Sequence, residues 1–353
     1  MIKPSELFIV GYPGQTLPVW LKKRLLTGHF AGLVFFRRNF TQPDCAQAVA
    51  ENMRHLVATL PVDGPPAILS IDHEGGRVQR LRGDVTVWPP MLRLVHRPLL
   101  DLEEVGRAMA WELSALGFNV NFAPVLDTHT NPKNPIISDR AFGTTPQEVA
   151  QRALAFLRGL ESEPGFRGCG KHFPGHGDTE SDSHVALPVV RRPLSELIQT
   201  ELMPFSAAAA QVGMLMTAHV VYPLADTKPA TLSSFWLRDC LRLQVGFQGV
   251  VLSDDLDMAA VSAPSLGLAD DGQVVVESLL AGCDAFLFCK DAERLARSEE
   301  ALIHAAEQRS DVRQRITESA ARLLRFRATL SAQGPRLHRL AEFPRADHRT
   351  LAG

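Results

Sequence analysis

Residues 67–80 read AILSIDHEGGRVQR. A short, mostly apolar run ends abruptly in charge, with Asp72, Glu74, Arg77 and Arg80 at or just beyond its end. A run of that length, rich in β-branched residues, fits a buried strand. The pattern recurs seven more times: LFIVGY (7–12), GLVFFR (32–37), FNVNFAPV (118–125), GCGKHF (168–173), MLMTAH (214–219), GVVLSD (249–254) and AFLFC (285–289). Between the runs lie stretches of helical character, among them CAQAVAENMRHLVATL, LEEVGRAMAWELSALG, PQEVAQRALAFLRGLES, LSELIQTELMPFSAAAAQ and DDGQVVVESLLAG. Several end in glycine just before the next run, as helix C-caps do.

Eight strands alternating with helices require crossover connections and a parallel sheet. Eight is also the number that closes a (β/α)8 TIM-type barrel, typically ~250 residues with room for insertions. The predicted fold class is therefore α/β, a single (β/α)8 barrel over residues 1–330. The tail 331–353 is polar and proline-punctuated, and either packs on the barrel or trails from it. The rival, an open doubly wound sheet, calls for a glycine-rich phosphate loop after its first strand. GYPGQT at 11–16 does not match GxGxxG.

Composition narrows the partners. The chain has 353 residues, 45% apolar and 22% charged, which is enough for a large core without staples. A net charge of −2 provides no field for nucleic acid or anionic lipid. No apolar run reaches the ~20 residues of a membrane span. The start, MIKPSELFIV, lacks the regions of a signal peptide. Cys45, Cys169, Cys240, Cys283 and Cys289 are scattered and odd in number, so they read as reduced thiols of a cytoplasmic protein.

In a barrel of this kind the active site forms at the C-terminal strand ends. Beyond Asp72, the fourth run is followed by LDTHTNPKNPIISDRAFG, with Asp127, Asp139 and Arg140. The fifth ends in Lys171 and His172, the sixth in His219, and the seventh in LSDDLDM with Asp254, Asp255 and Asp257. Lys171, His172, His219 and Asp254 follow directly on apolar runs, where desolvation penalises a lone charge. A polar pocket explains them better than loop polarity does.

One segment is denser still. KHFPGHGDTESDSH, residues 171–184, holds three histidines, three carboxylates and a lysine. Pro174, Gly175 and Gly177 make most of it a loop that can fold sharply or move. If its far end is extended, Asp182 and His184 point to the same side. Asp182 then accepts from one imidazole nitrogen and leaves the other free to move a proton. An incidental Asp-Ser-His in a solvated loop is the competing reading. A strand-end carboxylate facing an Asp–His pair suggests a nucleophile with an acid/base group, the form that glycoside hydrolysis takes.

These residues carry a resemblance. KHFPGHGDTESDSH, with IDHEGGRVQRL upstream, SDRAFG between and LSDDLDM downstream, resembles the β-N-acetylhexosaminidases of glycoside hydrolase family 3 in order and rough spacing, from residue 7 to about 330. KHFPGHG with its DSH ending separates that subgroup from the family's β-glucosidases, which usually carry a second domain. The resemblance implies that Asp254 is the nucleophile of a retaining hydrolysis. It makes His184 the general acid/base and Asp182 its partner. It implies that Asp72, Arg80, Arg140, Lys171 and His172 hold the non-reducing-end N-acetylglucosamine. It further implies a cytoplasmic role in bacterial cell-wall recycling. The partner is then a small-molecule substrate, N-acetylglucosaminyl-anhydromuramyl sugars and peptides, with no metal or other cofactor, no nucleic acid and no membrane.

The neighbouring residues are given structural expectations. Asp255 and Asp257 read as carboxylates at a helix N-terminus. His176 and Asp178 read as loop-shaping, Glu74 and Arg77 as an ion pair beneath the pocket, and the Asp127 loop as architectural. His219 either lines the pocket or is a satisfied buried histidine. Lys171 and Arg140 are expected to keep Asp254 ionised. Three rivals stand beside the main reading. A metal-dependent barrel hydrolase would use His172, His176, Asp178 and His219, but HxxxH suits a metal on a helix and Pro174 opposes one. A non-catalytic sugar-binding barrel would need neither Asp254 nor the Asp182–His184 pair. A related β-glucosidase or β-glycoside phosphorylase could use the same dyad.

Overall fold

The computed structural model describes residues 3–61, 63–179, 187–332 and 334–353. The eight apolar runs form the eight parallel strands of a barrel: β1 (Phe8–Val10), β2 (Gly32–Phe35), β3 (Ile68–Ile71), β4 (Val120–Asn121), β5 (Arg167–Gly168 continuing as Gly170–Phe173), β6 (Met214–Thr217), β7 (Val250–Asp255) and β8 (Ala285–Phe288). β1 pairs with both β2 and β8, so the first and last strands meet. The ring closes at β5, whose first segment pairs with β4 and whose second pairs with β6. At the interruption, the Cys169 amide donates to the Asn121 and Ala123 carbonyls at 3.0 and 2.9 Å.

Every residue of β1, β2, β3, β6 and β8 is buried. Helices cover the outside and side chains fill the inside, so neither face is free to be polar. That is why most of the runs are nearly continuous in apolar residues, and why the polar residues within them, such as Asn121 and Ser70, are buried and hydrogen-bonded to backbone. The helices use ordinary stops and starts. Thr145 and Glu148 form a capping box at the start of Pro146–Glu161. Gly117, at φ 103°, ends Leu99–Leu116.

One predicted helix is broken. LSELIQTELMPFSAAAAQ folds as Leu194–Gln199 and Leu202–Ala208, with Thr200 and Glu201 between. Pro204 is the cause, because its ring clashes with a helical carbonyl four residues back, at Thr200. The break turns Glu201 inward, where it is 1% exposed. Two long helices that the sequence reading did not single out, Ala292–Gln308 and Ser310–Arg327, follow β8. The tail lies against the barrel: a short helical turn, Leu337–Glu342, and the helix Ala346–Ala352 both contact Leu99–Leu116. Among the described residues, no helix is long and apolar enough to cross a membrane.

Candidate active site

The C-terminal rim gathers the charged strand ends into one network. β3 hands the chain to a small hairpin, His73–Gly75 with Val78–Gln79. Asp72 before it and Arg80 after it are thereby brought side by side, with Arg80 Nη2 donating to Asp72 Oδ2 at 3.1 Å. Lys171 Nζ, from β5, reaches Asp72 Oδ1 at 2.8 Å and Glu74 Oε1 at 2.5 Å. Arg140 grips Glu74 with two hydrogen bonds of 2.8 Å. Arg140 is delivered by a turn at Ser138–Arg140 seated on a small apolar cluster of Val125, Ile137 and Ala141. Three cations and two carboxylates thus alternate as Arg80, Asp72, Lys171, Glu74, Arg140.

The sequence-based pairing of Glu74 with Arg77 is corrected here. Arg77 turns outward to Asp139 and to the Pro135 and Ile136 carbonyls. Glu74 is 3% exposed, and the cations that reach it are the delocalised Arg140 and the Lys171 ammonium. Burial alone would raise the Asp72 carboxyl, but the charges of Lys171 and Arg80 outweigh it and hold the group well below its ordinary range. Glu74 likewise is driven up by burial and down further by Arg140 and Lys171, to about 2. Side-chain exposure runs from 30% at Arg80 and 17% at Asp72 to 2% at Lys171, so the first two face the opening and the lysine supports them.

Next to Lys171, His172 is fixed by Asp127. Its Nδ1 lies 2.7 Å from Asp127 Oδ2, and the other oxygen, Oδ1, accepts the His176 amide at 2.7 Å. A carboxylate on Nδ1 places the proton there and presents Nε2 as the free nitrogen. Asp127 is fully buried and orients a site histidine, which goes beyond the architectural role read for its loop. His176 is buried and engaged through Nδ1 with Thr179 at 2.8 Å. Asn134 ties this loop to the one after β4, donating to the His176 and Gly177 carbonyls at 2.7 and 2.9 Å. The backbones meet closely at Gly177, where a Cβ would fall 1.7 Å from the Thr128 carbonyl oxygen. Sequence reasoning passed over Asn134. An asparagine set between prolines in NPKNP is the signal for such a bridge.

Across the barrel, Asp254 stands at the end of β7. Its amide donates to Thr217 Oγ1 at 3.3 Å, and its Oδ1 accepts the Asp255 amide at 2.7 Å. Burial opposes ionisation of Asp254, but the His219 and His172 imidazoles, the Asp255 amide and then Lys171 bring the carboxyl below its ordinary value. Arg140, expected to share that role, is committed to Glu74. His219 is fully buried and satisfied by Thr231 Oγ1 at 2.8 Å and the Asp255 carbonyl at 3.2 Å, which resolves its ambiguity toward a structural ring beside the carboxylate. Asp257 caps the amides of Cys289, Lys290 and Asp291 at the start of Ala292–Gln308. Asp255 accepts from Asp257 and Cys289 amides, and burial beside Asp257 pushes its carboxyl up to about 7.

Asp182 and His184 lie outside the described residues. The stem that leads to them rests on Glu201, the residue turned inward by the helix break. Its Oε1 accepts from Thr130 at 3.3 Å and Arg192 at 3.4 Å. Burial, reinforced by the charge of Asp127, pushes its carboxyl up to about 8. Tyr222 donates its hydroxyl to the Gly175 carbonyl on the same stem. Among the described residues, no three His, Cys, Asp or Glu side chains are disposed to hold a metal ion. The metal reading finds His172 and His176 already engaged through Nδ1.

This geometry has relatives. Residues 14–326 match the family described as glycosyl hydrolase family 3 N terminal domain. A curated β-hexosaminidase of Neisseria meningitidis is 40% identical over 279 residues, covering 76% of this chain and 73% of its own. NagZ from Neisseria gonorrhoeae, solved in complex with N-trifluoroacetyl-D-glucosamine, superposes with a TM-score of 0.78 at 32% identity over 99% of this chain and 97% of that one. A glycoside hydrolase family 3 β-N-acetylglucosaminidase from Paenibacillus superposes with a TM-score of 0.83 at 34% identity, over 99% of this chain but 66% of the longer one.

Proposed function

Because the chain belongs to glycoside hydrolase family 3, we propose that its rim of convergent charges is the sugar site of a retaining exo-β-N-acetylglucosaminidase. The protein is a glycoside hydrolase of the β-N-acetylhexosaminidase type. The observation that supports the finer reading is a buried carboxylate, Asp254, at the end of β7, across the barrel mouth from the network anchored on Asp72, with its carboxyl held below the ordinary value.

In this reading the N-acetylglucosamine ring lies on the rim. Asp72 and Arg80 accept and donate hydrogen bonds to its hydroxyls. Lys171, Arg140 and His172 complete the grip, the two cations acting through Asp72 and Glu74. Asp254 attacks the anomeric carbon as the bond to the leaving oxygen breaks, and His184, oriented by Asp182, gives that oxygen its proton. Water then attacks the glycosyl ester, His184 takes the water's proton, and the carbon–Asp254 bond breaks. Two inversions leave the β configuration intact. A charge-alternating network suits this task, because each carboxylate is already paired with two cations and the hydrogen bonds are directional before the neutral sugar arrives.

The substrate proposed is a muropeptide fragment, N-acetylglucosamine β-linked to an anhydromuramyl residue, handled in the cytoplasm. The amide-bearing sugar bound by the gonococcal relative supports the N-acetylglucosamine half of that assignment. The test is trapping with an activated 2-deoxy-2-fluoro glycoside followed by peptide mapping. A label on Asp254 supports the assignment. A label on another residue overturns it.

A further inference from the structure

The C-terminal tail, beyond the stretch matched by the family, ends in a buried polar chain that leads back to the sugar site. His348, on the helix Ala346–Ala352, is 7% exposed. Its Nδ1 lies 2.8 Å from Glu112 Oε1, on the helix Leu99–Leu116. Glu112 in turn accepts from Thr86, from the amide at 3.0 Å and from the hydroxyl at 2.6 Å. The Thr86 carbonyl accepts from Gln79 Nε2 at 2.8 Å, and Gln79 Oε1 accepts the Trp88 amide at 2.9 Å. Gln79 immediately precedes Arg80, the partner of Asp72.

The segment held by Glu112 also floors the hairpin turn. The Gly76 amide donates to the Trp88 carbonyl at 2.8 Å, and a Cβ on Gly76 would lie 2.8 Å from Pro90 Cβ. Around His348 the tail is clamped by ring contacts. Trp111 meets the imidazole edge-on at 5.5 Å and stacks on Phe343 at 5.5 Å, while the Arg339 and Arg345 guanidiniums each lie 5.1 Å from the Trp111 ring. Arg97 adds a bond to the Leu351 carbonyl. The hydrogen-bonded route from the tail to the sugar network runs through Glu112, Thr86 and Gln79.

We propose that the C-terminal segment is a strap that positions the substrate loop, with His348 as a positioning residue that holds Arg80 in place through Glu112, Thr86 and Gln79. This rests on the reading of Arg80 as a sugar-binding residue. A carboxylate in that interior must have its lone pairs satisfied, so loss of the imidazole donor leaves Glu112 free to pull away from Thr86. The loop that carries Arg80 then loosens. Contacts made equally in ground and transition states weaken, which raises KM and spares kcat.

The test compares two substitutions on the full chain. H348F keeps a ring against Trp111 and removes the donor, while H348N restores a donor near the Nδ1 position. With an aryl β-N-acetylglucosaminide, H348F should raise KM about tenfold with kcat within about twofold of wild type, and H348N should recover most of the KM. Hydrogen exchange should quicken over residues 80–90 in H348F and not in H348N, with Pro146–Glu161 unchanged in both. An unmoved KM in folded H348F overturns the proposal. So does a KM rise that H348N does not relieve, or faster exchange spread over the whole barrel. Should H348F fail to fold, Q79L removes the side-chain bonds to the Thr86 carbonyl and the Trp88 amide with the tail still docked, and an unchanged KM there overturns it as well. A wild-type protein inactive on N-acetylglucosaminides would refute the proposed function, while the exchange experiment would still report whether the strap anchors the loop.

Discussion

Replacing Glu201 with glutamine should make the protein more stable relative to wild type as pH rises. Glu201 is 1% exposed, and its Oε2 has no hydrogen-bond partner among the described residues. Arg192, the cation that reaches its other oxygen at 3.4 Å, is shared with Glu196 at 3.2 Å and Asp178 at 3.9 Å. Burial, with Asp127 adding repulsion, therefore raises the carboxyl from 4.5 to about 8. The sign follows from proton counting. Between those values the unfolded chain has released a proton that the folded chain retains, so folding stability falls with rising pH. Each tenfold difference in proton affinity between the two states is worth about 1.4 kcal/mol, and partial relaxation toward Arg192 leaves a cumulative penalty on the order of 2–5 kcal/mol by pH 8. Glutamine has nearly the shape of the protonated acid and no charge to lose. Urea unfolding of wild type and E201Q at intervals from pH 4 to 9 should give coincident stabilities near pH 4. The difference should widen through pH 5–8 and level off above that. A difference that stays constant from pH 5 to 8 would show that Glu201 ionises normally, and would refute the account of a neutral acid beneath the loop stem.

The remaining predictions concern the site. Asp254→Ala should lose nearly all turnover, on the order of 10³-fold or more in kcat, measured with an aryl N-acetylglucosaminide. His184→Ala should be far more damaging for substrates with poor leaving groups than for nitrophenyl glycosides, and equal losses on both would remove His184 from the acid role. Lys171→Met leaves Asp72 and Glu74 facing one another without their shared cation. It should cost about 3–5 kcal/mol in denaturant unfolding at neutral pH, with the deficit shrinking in acid as the two carboxyls protonate. The sign is that of depressed carboxyls: the stability they contribute is present above about pH 4–5 and is lost as pH falls through their folded values. Dialysis against a chelator should leave kcat unchanged, and a loss restored by a divalent cation would revive the metal reading.

Some of this chemistry was legible along the chain because it is written locally. Continuous apolar runs mark strands with no solvent face, and charges placed directly after those runs mark the rim of a barrel. The positions of Asp72, Lys171, His172 and Asp254 at strand ends follow from that pattern alone. What local sequence does not specify is which loop lands beside which. Glu74 looked like a partner for Arg77, three residues away, yet the hairpin turns Arg77 outward and brings Arg140, 66 residues on, onto the buried carboxylate. Asp127 reads as one more loop aspartate until β4 and β5 pair and seat it against His172. Glu201 reads as a helical surface residue until Pro204 breaks the helix and turns it inward.

The chain by itself thus determined the eight-strand alternation and the residue types at the rim, since burial and backbone chemistry act over a few residues at a time. Only the tertiary structure decided the partner of each charge and linked the C-terminal tail, through Glu112 and Thr86, to the hairpin that precedes Arg80. Such pairings depend on the closure of the barrel and on the docking of the tail against the helix Leu99–Leu116, which brings together groups as far apart in sequence as Glu112 and His348.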